Sequence, residues 1–364
     1  MYILSMEIIK NCNLSCTYCY LGEKENDRMS FETAKKAIDL AIHETKKQYD
    51  NTLHVYFIGG EPLLVFEFIE KCIIYIEKCC ESNGLKSMYS TTTNGTLLTS
   101  EIIDYFIKKN FYFKLSLDGN KEIHDKNRVY HDGSGSYEVI ESKMQLIKRY
   151  ELKTGNIVRA AQVIAGNTYL KLPESLEYIH NLGFQIIEST VNVYEKWNGK
   201  DISVLCDKIE ESFNIYMKMK YAGSSIHWEF IEARLEAFCE VFGFYQCKAG
   251  LCSIFVNCKG DIYPCSEIDD AIKIGNVDIG LDVDKIRELV AITGSENEKC
   301  LQCREYRKCT TCDCIMTNYE TSQSFFIPPE VSCLVSQKVY KLFRESFTEA
   351  QIGSLKNYYQ ERKF

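Results

Sequence analysis

Apolar and polar positions alternate along this chain with two different periods. A run of period two, Tyr2–Ile9, opens it, and strand-like runs return at 53–58, 87–93, 112–117, 156–164 and 185–191. Between them apolar residues recur every three or four positions. At 65–82, Phe66, Ile69, Cys72, Ile73 and Ile76 share one helical face. Helices are likewise expected at 100–109, 137–150 and 171–182. Ser30 and Thr33 resemble a capping box at the head of a further helix that runs to about Lys47. Six or seven strand–helix units predict an α/β fold with a parallel sheet and right-handed crossovers. That is too few for a closed eight-stranded barrel and fits a partial (β/α)6 TIM-like barrel. In such a barrel the reactive residues gather at the C-terminal ends of the strands.

The pattern changes after residue 199. Helices are expected at 204–221 and 229–242, then a cysteine-rich stretch, then a helix at 336–347 with a frayed polar tail. The division is a barrel at 1–199, a helical linker at 200–245, a cysteine-rich domain at 246–334 and a terminal helix and tail at 335–364. Net charge is −8 and no long basic run exists, which argues against a nucleic-acid partner. No apolar run reaches membrane-spanning length, and the first residues do not read as a secretory signal. The expected compartment is the cytoplasm, where thiols stay reduced. The 18 cysteines therefore read as metal ligands rather than disulfides.

The densest chemistry lies in Lys10-Asn11-Cys12-Asn13-Leu14-Ser15-Cys16-Thr17-Tyr18-Cys19-Tyr20, directly after the first strand. Three thiolates in so tight a loop suit a [4Fe–4S] cubane with one iron left open. Read alone, the loop also fits a zinc site, although no second cysteine pair is near. The Cys-x3-Cys-x-aromatic-Cys form resembles the signature of the radical S-adenosylmethionine (SAM) enzymes. Gly59-Gly60-Glu61-Pro62 at the end of the second strand resembles the motif that holds the SAM amino group. There, glycines allow close approach of backbone to a ligand. The resemblance further implies that Thr93 and Asn94 border the site and that Ser116 and Arg128 hold the SAM carboxylate. It places Tyr18 against the adenine, and Gln162 and Val163 in the adenine pocket. Each also has a plainer reading: Asn94-Gly95 as a turn, and Arg128 as a surface ion pair with Asp125 or Asp132.

Ten cysteines fall within the 87 residues from Cys247 to Cys333. Such a segment builds little ordinary core, so metal is expected to stabilise it. The spacing Cys247…Gly260-x4-Cys265, then Cys300-x2-Cys303-x5-Cys309 and a distant Cys333, resembles the SPASM domain, which carries two auxiliary [4Fe–4S] clusters. The resemblance implies one cluster on Cys247, Cys252, Cys265 and Cys314, and another on Cys300, Cys303, Cys309 and Cys333. That makes three clusters in all. Cys312 is an alternative to Cys314, and Cys252 is the least typical of the eight. The remaining cysteines, Cys258 among them, read as buried small hydrophobes or idle thiols.

The resemblance implies an oxidoreductase that cleaves SAM reductively and acts on a peptide. The favoured reading is a maturase that forms a thioether or carbon–carbon cross-link in a ribosomally made precursor. The alternative is a formylglycine-forming sulfatase maturase. Those enzymes carry an Asp base directly after the cysteine equivalent to Cys265, where this chain has Ser266-Glu267. A non-catalytic iron–sulfur electron carrier is the second alternative. Expected partners are the precursor peptide, a reductase such as flavodoxin or ferredoxin, and a separate leader-binding protein. With no winged-helix module before Cys12, either that protein binds the leader or the precursor docks directly on the barrel mouth. Glu188, taken to end the sixth strand, is a candidate base or a solvated charge.

Overall fold

The computed structural model describes residues 1–19, 21, 26–239, 245, 247–266 and 270–361. Tyr20, Glu267 and the last three positions of the helix expected over 229–242 lie outside them. In chain order the elements are β1 (Tyr2–Ile9), α1 (Phe31–Thr45), β2 (Thr52–Gly59), α2 (Phe66–Ser82), β3 (Lys86–Thr93), α3 (Ser100–Lys109), β4 (Tyr112–Ser116), α4 (Lys121–Asp125), α5 (Tyr137–Ser142) and α6 (Met144–Thr154). Then come β5 (Arg159–Ile164), α7 (Leu172–Asn181), β6 (Ile186–Val191), α8 (Gly199–Tyr221), β7 (His227–Trp228) and α9 (Glu229–Cys239). The remainder is β8 (Ser253–Val256), β9 (Asp261–Tyr263), β10 (Gly275–Asn276), β11 (Gly280–Leu281), α10 (Val283–Val290), α11 (Glu298–Leu301), α12 (Ile315–Ser322), α13 (Glu330–Ser346) and α14 (Glu349–Glu361).

The six β/α units expected from periodicity are all present, with a parallel core. The chain forms two compact units that interleave along the sequence. One comprises residues 1–116, 124–158 and 247–291, the other residues 117–123, 159–246 and 292–364.

In the first unit β1, β2, β3 and β4 pair in parallel in that order. Leu53, Val55 and Phe57 of β2 are fully buried, while His54 and Tyr56 between them are half-buried. That is the period-two signature of a strand with one face packed on helices. On the packed face Phe106 of α3 stacks on Phe111 at 4.4 Å, and Phe57, Phe113 and Tyr150 extend the cluster. The opposite face is polar: His54 Nε2 meets Ser90 Oγ at 2.7 Å and Tyr56 OH meets Thr92 Oγ1 at 2.5 Å. Burial and the nearby Lys114 charge lower the His54 pKa. β8 adds to the free side of β1 in parallel, and β9, β10 and β11 follow antiparallel. Ile254, Phe255, Val256, Ile262 and Tyr263 are buried there. The first half of the cysteine-rich stretch thus contributes apolar core, contrary to the expectation from its composition.

In the second unit β5 and β6 pair in parallel, with β7 on the far side of β6. Helices α8, α9 and α13 pack through Phe213, Phe238, Tyr340 and Phe343, whose rings lie within 6.2 Å of one another in successive pairs. The frayed tail expected after residue 347 is instead the helix α14. Thr348 Oγ1 accepts from the Gln351 amide, and Gln351 Oε1 accepts from the Thr348 amide, a reciprocal cap that starts this helix.

Candidate active site

The cysteine loop is held from two sides. On one side lies the glycine turn after β2. The Gly60 amide donates to Ile9 O at 2.8 Å, and the Glu61 amide donates to Asn11 O at 3.1 Å. A Cβ on Gly59 would sit 2.0 Å from Ile9 O, and one on Gly60 2.2 Å from Asn11 O and 2.5 Å from Lys10 O. The glycines are therefore required by the chain's own approach to itself, before any ligand is considered.

Glu61 is buried at 1% exposure, and its carboxylate accepts three hydrogen bonds from the protein. These come from Leu63 N (3.0 Å), Thr93 Oγ1 (2.8 Å) and Asn94 N (2.8 Å). It caps the short turn that Pro62 opens and ties the end of β2 to the end of β3. Burial pushes its pKa up to about 7, against those hydrogen bonds, which act to lower it.

From β3, Asn94 reaches back into the loop. Its Nδ2 donates to Asn13 Oδ1 at 2.9 Å and toward Cys12 Sγ at 3.8 Å, while its Oδ1 accepts from Thr96. Cys12 Sγ also accepts from the Leu14 amide at 3.4 Å.

On the other side lies the segment 124–131, which the sequence reading did not connect to the loop beyond Arg128. Ser15 N donates to Val129 O (2.7 Å) and Thr17 N to Asn127 O (3.0 Å). Thr17 Oγ1 donates to Asn127 Oδ1 (2.6 Å), and His131 Nε2 donates to Cys12 O (2.9 Å). Arg128 rides on this strap. It is buried, and its guanidinium lies 5.3 Å from the Tyr18 ring centroid. Asp125 and Asp132, the surface partners considered for Arg128, accept from the Tyr137 and Ser134 amides. Ser116 ends β4 and is buried, while Cys16 and Cys19 are half-buried. Asparagine amides and histidines carry little sequence signal for such long-range ties, so Asn127 and His131 were not legible beforehand.

In the second unit Gln162 and Val163 are consecutive on β5 and so face opposite sides of the sheet. Gln162 is buried in a chain of donors: Trp228 Nε1 to Ser189 Oγ (2.9 Å), Ser189 Oγ to Gln162 Oε1 (2.6 Å), Gln162 Nε2 to Asp118 O (3.0 Å). The Val163 amide donates to Asp118 Oδ1 at 3.0 Å. Glu188 is the third residue of β6 rather than its last. Its carboxylate meets Arg159 Nη1 at 2.8 Å, and the same nitrogen holds Glu229 at 2.6 Å.

The cysteines divide by hydrogen-bond role. A sulfur that accepts has a lone pair held toward a donor, whereas the form that ligates iron is the thiolate; burial raises the thiol pKa at Cys300 and Cys333, and among these sulfurs the hydrogen bonds lower it at Cys309. Cys12 accepts as described, Cys333 accepts from Gln337 Nε2 at 3.4 Å, and Cys300 accepts from Ser295. Cys309 accepts from the amides of Thr311 and Cys312 and from the Cys312 thiol, which lower its pKa. The charges of Cys300, Cys303, Cys309 and Cys333 act on one another, so these four thiols share one neighbourhood. By contrast Cys258 donates to Glu7 O at 3.1 Å, and burial pushes its thiol up to about 12. Cys312 is buried and donates toward Tyr306 O and Cys309 O. Cys314 is exposed beside Thr317, Cys247 is exposed, and Cys252 and Cys265 are half-buried. Among the described residues no three His, Cys, Asp or Glu side chains converge as ligands of one ion. A cubane asks for a different arrangement, one thiolate on each of several irons. Among the described residues no helix is long and apolar enough to cross a membrane.

Residues 6–193 match the family model described as the Radical SAM superfamily. The Methanocaldococcus jannaschii protein called "Uncharacterized protein MJ0907" is 30% identical over 75% of this chain and 88% of its own length. A cysteine-type anaerobic sulfatase-maturating enzyme of Clostridium novyi is 26% identical over 74% of each chain. Among solved structures, anSMEcpe with bound AdoMet superposes with a TM-score of 0.78 at 21% identity, over 98% of this chain and 99% of that one. Streptococcus suis SuiB bound to S-adenosylmethionine gives a TM-score of 0.60 at 16% identity, over 91% of this chain and 77% of its own. At these identities the structural likenesses establish the fold alone.

Proposed function

Because this chain belongs to the radical SAM superfamily of enzymes, we propose that it is a peptide maturase that joins two residues of a substrate peptide by a thioether or carbon–carbon link. The bound cluster and SAM supply reductive cleavage of a sulfonium and, with it, hydrogen abstraction from the substrate. Cys12, Cys16 and Cys19 hold that cluster, and the accepting Cys12 sulfur supports their role. Gly59, Gly60, Glu61 and Pro62 brace the loop, with Thr93 and Asn94 as the second anchor. Arg128, stacked on Tyr18, presents a planar cation suited to a carboxylate, with Ser116 as a neutral donor. On this reading Glu61 is a positioning residue, because its carboxylate serves the turn. Two auxiliary clusters belong to Cys247, Cys252, Cys265 and Cys314, and to Cys300, Cys303, Cys309 and Cys333. The donor role of the Cys312 thiol supports Cys314 as the ligand. A flavodoxin- or ferredoxin-like reductase and a separate leader-binding protein complete the system, which works in the cytoplasm.

A peptide substrate is supported by two relatives: anSMEcpe is solved with the Cp18Cys peptide, and SuiB with precursor peptide SuiA. The observation that separates cross-linking from formylglycine formation is Ser266, which directly follows Cys265 where a sulfatase maturase places its Asp base. The second reading, formylglycine formation, draws on the near full-length likeness to anSMEcpe. Mass spectrometry after anaerobic turnover with candidate peptides decides between them. A loss of two hydrogens retained as a link between two residues supports the maturase. A hydrazide-reactive aldehyde at one Cys or Ser, with no link, overturns it in favour of the second reading. Failure of the reconstituted protein to release 5′-deoxyadenosine with SAM and dithionite overturns both.

A further inference from the structure

Arg234, on α9, is a half-buried cation of the second unit with neutral hydrogen-bond partners. Arg344 faces Glu305 at 2.5 Å, Lys338 faces Glu210 at 2.5 Å, and Arg159 faces Glu188 and Glu229. Arg234 makes no such ion pair among the described residues. Its partners are neutral: Phe230 O at 2.8 Å, the Phe230 ring at 4.0 Å and Ser336 Oγ at 3.4 Å. A half-buried guanidinium without a carboxylate is costly unless another negative group is near.

The surroundings of Arg234 indicate which group that is. Ser336 is buried one turn after Cys333, and its Oγ meets Thr311 Oγ1 at 2.6 Å. Thr311 lies between Cys309 and Cys312, and its amide donates to the Cys309 sulfur. The Arg234 charge reaches that same sulfur. We propose that Arg234 is the counter-charge of the cluster held by Cys300, Cys303, Cys309 and Cys333, and that it sets that cluster's reduction potential. The inference rests on the proposed ligation by these four thiolates. An oxidised cubane with four thiolates is a net anion, and taking up one electron makes it more negative. A fixed positive charge beside it favours the reduced form and raises the potential. Lys308, the nearest alternative cation in sequence, lies over the Phe238 ring at 4.4 Å.

The test is redox titration of the anaerobically reconstituted full chain, followed by electron paramagnetic resonance. Cys12, Cys16 and Cys19 are replaced by Ala so that only the auxiliary clusters report. R234Q is expected to lower the reduced-to-oxidised ratio of one cluster about tenfold at fixed potential, equivalent to about 59 mV for a one-electron couple. R234K, which keeps the charge, is expected to recover most of the shift, and K308Q to move the titration far less. Unchanged titration in R234Q with full iron overturns the inference. So does an R234K that shifts as far as R234Q, because charge is then not the cause. If the Arg234-containing protein carries no iron beyond one auxiliary cluster, and C333S removes none, the underlying ligation fails instead. Iron content separates that result from the first two.

Discussion

Replacing Gly60 with Ala tests how the cysteine loop is supported. The added Cβ would lie 2.2 Å from Asn11 O, which is 1.2 Å short of the 3.4 Å at which ordinary contact begins. Lys10 O at 2.5 Å blocks a second direction. Both obstacles are backbone atoms, so no side chain can rotate away. Either the loop moves by about 1 Å or the Gly60–Ile9 and Glu61–Asn11 hydrogen bonds break. Overpacking of this kind costs about 1–3 kcal/mol, and backbone obstacles put G60A at the upper end. A displacement near 1 Å at a reacting group also costs about 10²-fold in rate. Urea unfolding should therefore show G60A destabilised by about 3 kcal/mol. Iron loading at Cys12, Cys16 and Cys19 should fall, and 5′-deoxyadenosine release should fall with it. Gly199, where a Cβ meets nothing within 4 Å, is the control. There Ala should be neutral or stabilising by up to about 1 kcal/mol. The reasoning is refuted if G60A unfolds at the same urea concentration as G199A and binds as much iron.

Other expectations concern single groups. Glu61 has a raised folded pKa of about 7, so the native state binds the extra proton between about pH 4.5 and 7. Stability should fall by roughly 3 kcal/mol as pH rises through that window, and E61Q should flatten the fall; equal slopes in urea titrations would count against burial as the cause. S189A leaves Trp228 Nε1 and Gln162 Oε1 without their partner and should cost about 2 kcal/mol, read from tryptophan fluorescence during unfolding. C314S should lose iron on reconstitution whereas C312S should retain it, and the opposite result would exchange their roles.

The repeating strand–helix units were legible because each buries a face with its own period. Leu53, Val55 and Phe57 show this in β2, and Ile102, Ile103 and Phe106 show it in α3. At the candidate site, local spacing and motif point to Cys12, Cys16 and Cys19 and to the turn at Gly59, Gly60, Glu61 and Pro62. Contacts remote in sequence were not legible. His131 reaches Cys12 across 119 positions. The tie from Gln162 through Ser189 to Trp228 had no visible sequence signal. The helix α14 was missed although Thr348 and Gln351 spell its cap, because the tail's polarity outweighed that signal.

The strap at 124–131 has a consequence for synthesis in the cell. The three thiols of the loop begin at Cys12, yet the segment that clamps them ends with the His131 side chain. Until that residue clears the ribosome, the nascent loop lacks one wall, and its thiols are open to stray metals and oxidants. The clamp is completed only by a residue more than a hundred positions downstream. Grafting the loop alone onto another scaffold would lose that clamp.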